Sequence, residues 1–329
     1  MTADFDVLGI GNALVDVLSH ETDEFVERMQ LNRGTMTLID EARAHELYDA
    51  MGPGVEISGG SAANTIVGLA SFGARAAYLG KVREDQLGEV FAHDIRSTGV
   101  SFQCAQAGDG PSTGRCLIVV TPDAQRTMNT YLGASAFLGP DDVDPDIVAS
   151  ARVVYLEGYL WDRPEAKEAY RKAARIAHEA GHEVSLTLSD PFCVDRHRAE
   201  WLRLVEDDVD ILFANEAEIC SLYECDFDDA MQHVRKHCSA AALTRSEHGS
   251  VIVAGDEVHV VGAHPVDRLV DTTGAGDLYA SGFLFGYIRG LDWATCARLG
   301  SLAAAEVISH LGARPECRLS TLARSLLPA

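Results

Sequence analysis

Short apolar runs alternate with longer stretches of helical repeat along most of the chain. Asp6–Gly11 (DVLGIG), Ala76–Gly80 (AAYLG), Val153–Leu156 (VVYL), Glu183–Leu188 (EVSLTL), Ile211–Ala214 (ILFA) and Ala241–Thr244 (AALT) are near-continuously apolar. That is the pattern of strands buried on both faces of a parallel sheet. Between them, Ser61–Phe72 predicts a helix with Ser61 as its cap and Gly73 as its stop. Gln86–Thr98 ends at Gly99, and Pro164–Ala180 opens on proline and closes before Gly181. Strands alternating with helices imply an α/β fold, doubly wound, with a mainly parallel sheet flanked by helices. Two stretches break the alternation. Arg33–Asp40 (RGTMTLID) and Ser112–Leu132 are rich in Thr, Val and Ile, and the second divides at Pro122-Asp123, a turn pair. They predict a small sheet projecting from the core and covering a site at the strand ends.

Composition narrows the classes. The chain has 329 residues, 47% of them hydrophobic, enough for a large core. Its formal net charge of -23 disfavours nucleic acid and anionic membrane as partners. A small phosphorylated ligand stays compatible, because a local site can oppose the overall field. The first residues, MTADFDVLGIGN, carry no basic segment ahead of the apolar run and do not read as a secretory signal. No segment has the length of a membrane span. The eight cysteines include no C-x-x-C pair and read as reduced thiols, so a cytoplasmic location is expected.

Four polar and glycine-rich stretches interrupt this framework. Gly274-Ala275-Gly276-Asp277 precedes a strongly apolar helix. Free amides and the positive dipole end at a helix start favour an anion, and glycine lets one approach closely. Asp277 is alternatively an ordinary first-turn acid. In "SGGSAAN", Gly59 and Gly60 open a helix with Ser61 and Asn64 in its first turn, where a capped loop is the plainer reading. In "FANEAE", Asn215 and Glu218 stand three apart at a strand-to-helix junction. They suit a reciprocal cap, or a carboxylate that holds hydrated Mg²⁺. In "GIGNALVD", a dinucleotide fingerprint fails at Leu14, which leaves Asn12 and Asp16 able to bind paired hydroxyls. Walker A, protein-kinase and serine-elbow motifs are absent from the sequence. His233, His237 and Cys238 imitate a metal site but lie in a charged segment, so a solvated helix face is expected.

Taken in order, these stretches resemble the ribokinase/PfkB family of small-molecule kinases over nearly the whole chain. "DTTGAGDLYASGFL" (Asp271–Leu284) is similar to its C-terminal signature, "GGSAAN" to its N-terminal one, and "NEAE" to its N-x-x-E. The resemblance implies one ribokinase-like domain over 1–329, with a β-sheet lid from about 13–40 and 101–132. It implies Asp277 as catalytic base, Gly274, Ala275 and Gly276 as anion hole, and Arg126 near the transferred phosphate. It places Asn12, Asp16, Gly59, Gly60, Ser61 and Asn64 on the substrate. Asn215, Thr244 and Gly249 go to ATP, and Glu218 to Mg²⁺ through water. A monovalent cation, and a monomer or homodimer, are compatible with the resemblance.

"GNALVDV" and Ser61, where many sugar kinases of the family carry Lys, resemble the branch acting on adenosine. The implied reaction is γ-phosphoryl transfer from ATP to the adenosine 5′-OH. Asp277 is expected to act as a base of near-ordinary carboxylate pKa. Alternatives are a sugar kinase of the same family (ribose, fructose or 2-keto-3-deoxygluconate) or a non-catalytic nucleoside or sugar sensor. Ser246, where many members carry Gly, and Tyr159, a candidate for stacking on a base, are less constrained.

Overall fold

The computed structural model describes residues 3–104, 106–123 and 125–327. Ala105 and Ala124, inside the expected lid segment, lie outside the described residues. The strands, in chain order, are β1 (Phe5–Ile10), β2 (Leu14–His20), β3 (Met36–Leu38), β4 (Gly54–Gly59), β5 (Ala76–Leu79), β6 (Ser101–Phe102), β7 (Gly114–Val120), β8 (Arg126–Tyr131), β9 (Ala151–Glu157), β10 (Glu183–Thr187), β11 (Ile211–Asn215), β12 (Ala240–Thr244), β13 (Ser250–Ala254) and β14 (Glu257–Val261).

Nine of them form one sheet in the order β14-β13-β12-β11-β10-β9-β1-β5-β6. It is parallel from β12 through β6, and β13 and β14 add antiparallel at the other end. All six predicted buried strands belong to it. Their side chains alternate between two cores. Val7, Val153, Tyr155, Ile211 and Phe213 face the core shared with helices Ser61–Phe72, Ala275–Ile288 and Trp293–Val307. Leu8, Ile10, Val154, Leu156 and Leu212 face helices Pro164–Glu179 and Pro191–Asp207. Apolar demand on both faces explains why these strands read as unbroken runs.

A smaller sheet has the order β3-β8-β7-β2-β4. Along β7, Leu117 and Val119 join the core while Cys116 and Ile118 face away from it. Two boundaries depart from the sequence expectation. Of Arg33–Asp40 only Met36–Leu38 is strand, because Arg33 reaches Asp23 and Asp123 and Gly34 turns at φ 71°. The small sheet also takes its edge strand β4 from residues 54–59, outside 13–40 and 101–132, whereas β6 joins the large sheet.

The helix Ala275–Ile288 is buried along nearly its whole length. Phe283 anchors it, with ring centroids 5.4 Å from Phe213 and 6.2 Å from Trp293. Phe283→Ala is expected to cost about 3–5 kcal/mol, the usual range for truncating a buried phenylalanine. Guanidinium denaturation midpoints read it, and a loss below about 1 kcal/mol would show that this core closes over the gap.

Candidate active site

The parallel strands end on one side of the large sheet, and there the small sheet stands over a cleft of about 1060 Å³. Leu14, Leu38, Ile118 and Leu132 line it from the small-sheet side, and Gly60–Ser61, Asn64 and Thr272–Asp277 from the helix starts. The carboxyl ends of β9, β10, β11 and β12 contribute Glu157, Thr187, Asn215 and Thr244. Such placement at strand ends follows from the fold, since the loops leaving a parallel sheet converge there.

Asp277 lies in the first turn of its helix, behind Gly274 at φ 79°. Ser61 Oγ donates to its Oδ1 at 2.6 Å and Asn64 Nδ2 to its Oδ2 at 3.0 Å. The helix Ser61–Phe72 therefore starts on Gly60, and no side chain caps it. Ser61, expected as the cap, instead holds the carboxylate. Burial lifts the Asp277 carboxyl to about 6, against the pull of Ser61, Asn64 and the nearby Arg314. Asp277 is therefore more basic than the near-ordinary carboxylate expected from sequence. Ala275 N–H donates to Thr272 O at 3.2 Å. Gly276 and Asp277 are first-turn residues whose amides have no acceptor within the helix.

Asp16, on β2, lines the same cleft. Burial raises its carboxyl to about 6, offset by Arg314 and Arg126 and reinforced by the charge on Asp277. Gly59 makes room for it: a Cβ there would lie 2.4 Å from Asp16 Cγ. Gly60 has φ 103°, and a Cβ would meet Asn12 O at 2.1 Å. Asn12 is buried, gives Nδ2 to Glu157 Oε1 at 2.7 Å and accepts from Ser135 Oγ at 2.9 Å.

Arg126 Nη1 pairs with Asp271 Oδ2 at 2.8 Å, with both side chains buried. Among the described residues its Nε and Nη2 have no hydrogen-bond partner, and Arg126 does not itself line the cleft. Two orphaned guanidinium donors fit a group rich in acceptors, as a phosphate is. On the other side, Asn215 and Glu218 form the reciprocal cap: Glu218 N–H donates to Asn215 Oδ1 and Asn215 N–H to Glu218 Oε2, each at 2.9 Å. Burial lifts Glu218 to about 7. Both residues and Thr244 line the cleft. Gly249 does not; it turns the chain into β13 at φ 85°. Tyr159 lines the cleft and donates to Ser189 O at 3.0 Å. Among the described residues no three His, Cys, Asp or Glu cluster as metal ligands, and His233 and His237 are exposed. Among the same residues no helix is long and apolar enough to cross a membrane.

Sequence reasoning overlooked three groups. Glu157 accepts from Asn12 and from Ala62 N, joining the end of β1 to the helix bearing Ser61. Its signal was present: an acid closing the run VVYLE. Asp271 receives Arg126, Thr273 N and Gly312 N. Arg314 donates Nε to Asn64 Oδ1 at 2.7 Å. Nothing local in "GARPE" announces it, since the contact spans 250 residues.

Residues 13–320 match the pfkB family carbohydrate kinase description. The crystal structure of adenosine kinase from Sinorhizobium meliloti is 54% identical, with a TM-score of 0.91, covering 99% of this chain and 100% of that one. That of a probable sugar kinase from Rhizobium etli CFN 42 is 51% identical, with the same TM-score of 0.91 and the same coverage of 99% and 100%. The adenosine kinase of Saccharomyces cerevisiae is 28% identical over 335 residues, covering 95% of this chain and 96% of that one. A half-buried carboxylate at a helix start, on a cleft at the strand ends, thus occurs in a chain that belongs to the PfkB family and is a phosphotransferase with an alcohol acceptor.

Proposed function

We propose that the protein transfers the γ-phosphoryl group of ATP to the 5′-hydroxyl of adenosine, giving AMP and ADP. The observation that carries this reading is Asp277, lifted to about 6 and clamped by Ser61 and Asn64 at the cleft floor. As the hydroxyl oxygen attacks phosphorus, Asp277 takes its proton, and the bond to the β–γ bridging oxygen breaks. The Gly276 and Asp277 amides, with Ala275 turned from Thr272, and the free donors of Arg126 receive charge on the transferring group. Asp16, Asn12 and the Gly59–Gly60 turn hold the ribose hydroxyls. Asn215 and Thr244 lie on the nucleotide side. Glu218 would hold Mg²⁺ through water, in keeping with an ion that takes few protein oxygens, and the ion supplies charge neutralisation on the phosphates. The small sheet acts as a lid that excludes water.

Adenosine is preferred over a sugar because apolar Leu14, Leu38, Ile118 and Leu132, with Tyr159, suit a flat base better than a polyhydroxy chain. The similarity to the Sinorhizobium meliloti adenosine kinase supports the same choice. The test is ADP release from Mg·ATP with adenosine, inosine, guanosine, ribose, fructose and 2-keto-3-deoxygluconate. Turnover on adenosine is expected. Turnover on a sugar and no nucleoside would overturn the substrate and keep the kinase.

Asp277→Asn should lower kcat by about 10²–10⁴-fold while nucleoside binding by calorimetry persists. A near-normal kcat would remove Asp277 from the base role. Asp277 works ionised, and its carboxyl is raised to about 6, so kcat/KM should hold above that pH and fall as pH drops through it. Asp16 protonates in the same window, so the limb should be steeper than one proton allows and reports the pair. A limb centred near pH 4 would contradict the enclosed carboxylates.

A further inference from the structure

We propose that Arg314 is a positioning residue that locks the Asn64 amide so that Asp277 is presented only with donors. The inference rests on Asp277 being the base. Its argument is one of hydrogen-bond valence. A guanidinium has donors and no acceptor, so the atom of Asn64 that meets Arg314 Nε at 2.7 Å must be the oxygen. The nitrogen is then turned to Asp277 Oδ2 at 3.0 Å. A free asparagine amide could turn over and offer its oxygen instead, an arrangement that favours a protonated carboxyl. With the amide locked and Ser61 Oγ–H on the other oxygen at 2.6 Å, the ionised, proton-accepting form is the satisfied one.

Arg314 is itself fixed at both ends of this link. Its Nη2 donates to Ser58 O at 2.6 Å and lies 3.1 Å from Ser58 Oγ. Ser58 N–H and Oγ–H both donate to Asp94 Oδ2, at 2.8 and 2.6 Å. Ser58 is the residue before Gly59 and Gly60, so a single guanidinium holds the glycine turn and the helix start that follows it. The residue does not line the cleft, although its neighbour Ala313 does. It therefore acts through Asn64 and not on substrate. Its charge also reaches both Asp16 and Asp277. The other ionisable groups around Asp277 are Asp16 on β2, Tyr155 and Glu157 on β9, and Tyr159 in the turn that follows.

The test is a double-mutant cycle on the whole protein with its preferred acceptor: Arg314→Met, Asn64→Ala and the combination, with Asp277→Asn beside them. Each single change should lower kcat roughly 10–100-fold, the scale for groups that orient a reacting one. The combination should fall no further than the worse single, because both break one link. In Arg314→Met the acidic limb of kcat/KM should also move to higher pH, as the carboxyl loses both a nearby cation and an oriented donor. A role confined to folding lowers the yield of active protein and leaves the limb in place. Arg314→Lys keeps the charge and loses the fork, so kcat should stay depressed.

Multiplying single effects, an unmoved limb, or full activity in Arg314→Lys would each overturn the proposal. If Arg314→Met does not fold, Arg314→Lys with Asn64→Ala completes the cycle. Asp277→Asn with near-normal kcat would instead bring down the base assignment. An inactive Asp277→Asn beside multiplying effects sinks the Arg314 inference alone.

Discussion

A carboxylate drawn partly out of water is costly, and the candidate site is arranged around one such group. Asp277 sits where the amino end of a buried helix meets the amino end of another, with a hydroxyl and an amide on its two oxygens. Without those donors the enclosed charge would leave by protonation. With them it persists with an affinity for protons shifted toward neutrality. The two helices must therefore keep their starts in register to within a hydrogen bond. Both rest on the same face of the large sheet, in one core.

A second carboxylate, Asp16, is brought to the same cleft by a different sheet, and burial raises its proton affinity, with the charge on Asp277 adding to the effect. Like charges in a shared low-dielectric space are tolerated here because arginines enter from two directions, Arg126 from β8 and Arg314 from the C-terminal segment. Both carboxylates thus have a guanidinium near them inside a chain whose overall charge is -23.

The large sheet was legible because its strands answer to burial on both faces, and unbroken apolar runs such as VVYL and ILFA admit few other readings. The small sheet was only partly legible. β4 reads GVEISG, with glycine at both ends and a glutamate inside, and strands open on one face carry a weak signal. In the site, residues announced by local chemistry were visible: glycines before a helix, Asp277 in a first turn, Asn215 with Glu218. Ser61 was visible but misassigned, since the residue after two glycines looks like a cap until the partner 216 residues away is known. Glu157 and Arg314 work through partners far along the chain, as Asp271 does toward Arg126 and Gly312, and no window of sequence contains both halves of those contacts.

That separation has a consequence for how the protein comes into being. The residues proposed to hold substrate are made before position 65, while the proposed base is at 277 and the residue proposed to steady it at 314. Chains emerge at about 5–20 residues per second, so some tens of seconds at most separate the two events. During that interval helix Ser61–Phe72 presents an apolar face whose native cover, the helix Ala275–Ile288, has not been made. A nascent chain of this kind is exposed to non-native association until that helix docks, and a product truncated before it would lack the proposed base while keeping the residues proposed to clamp it.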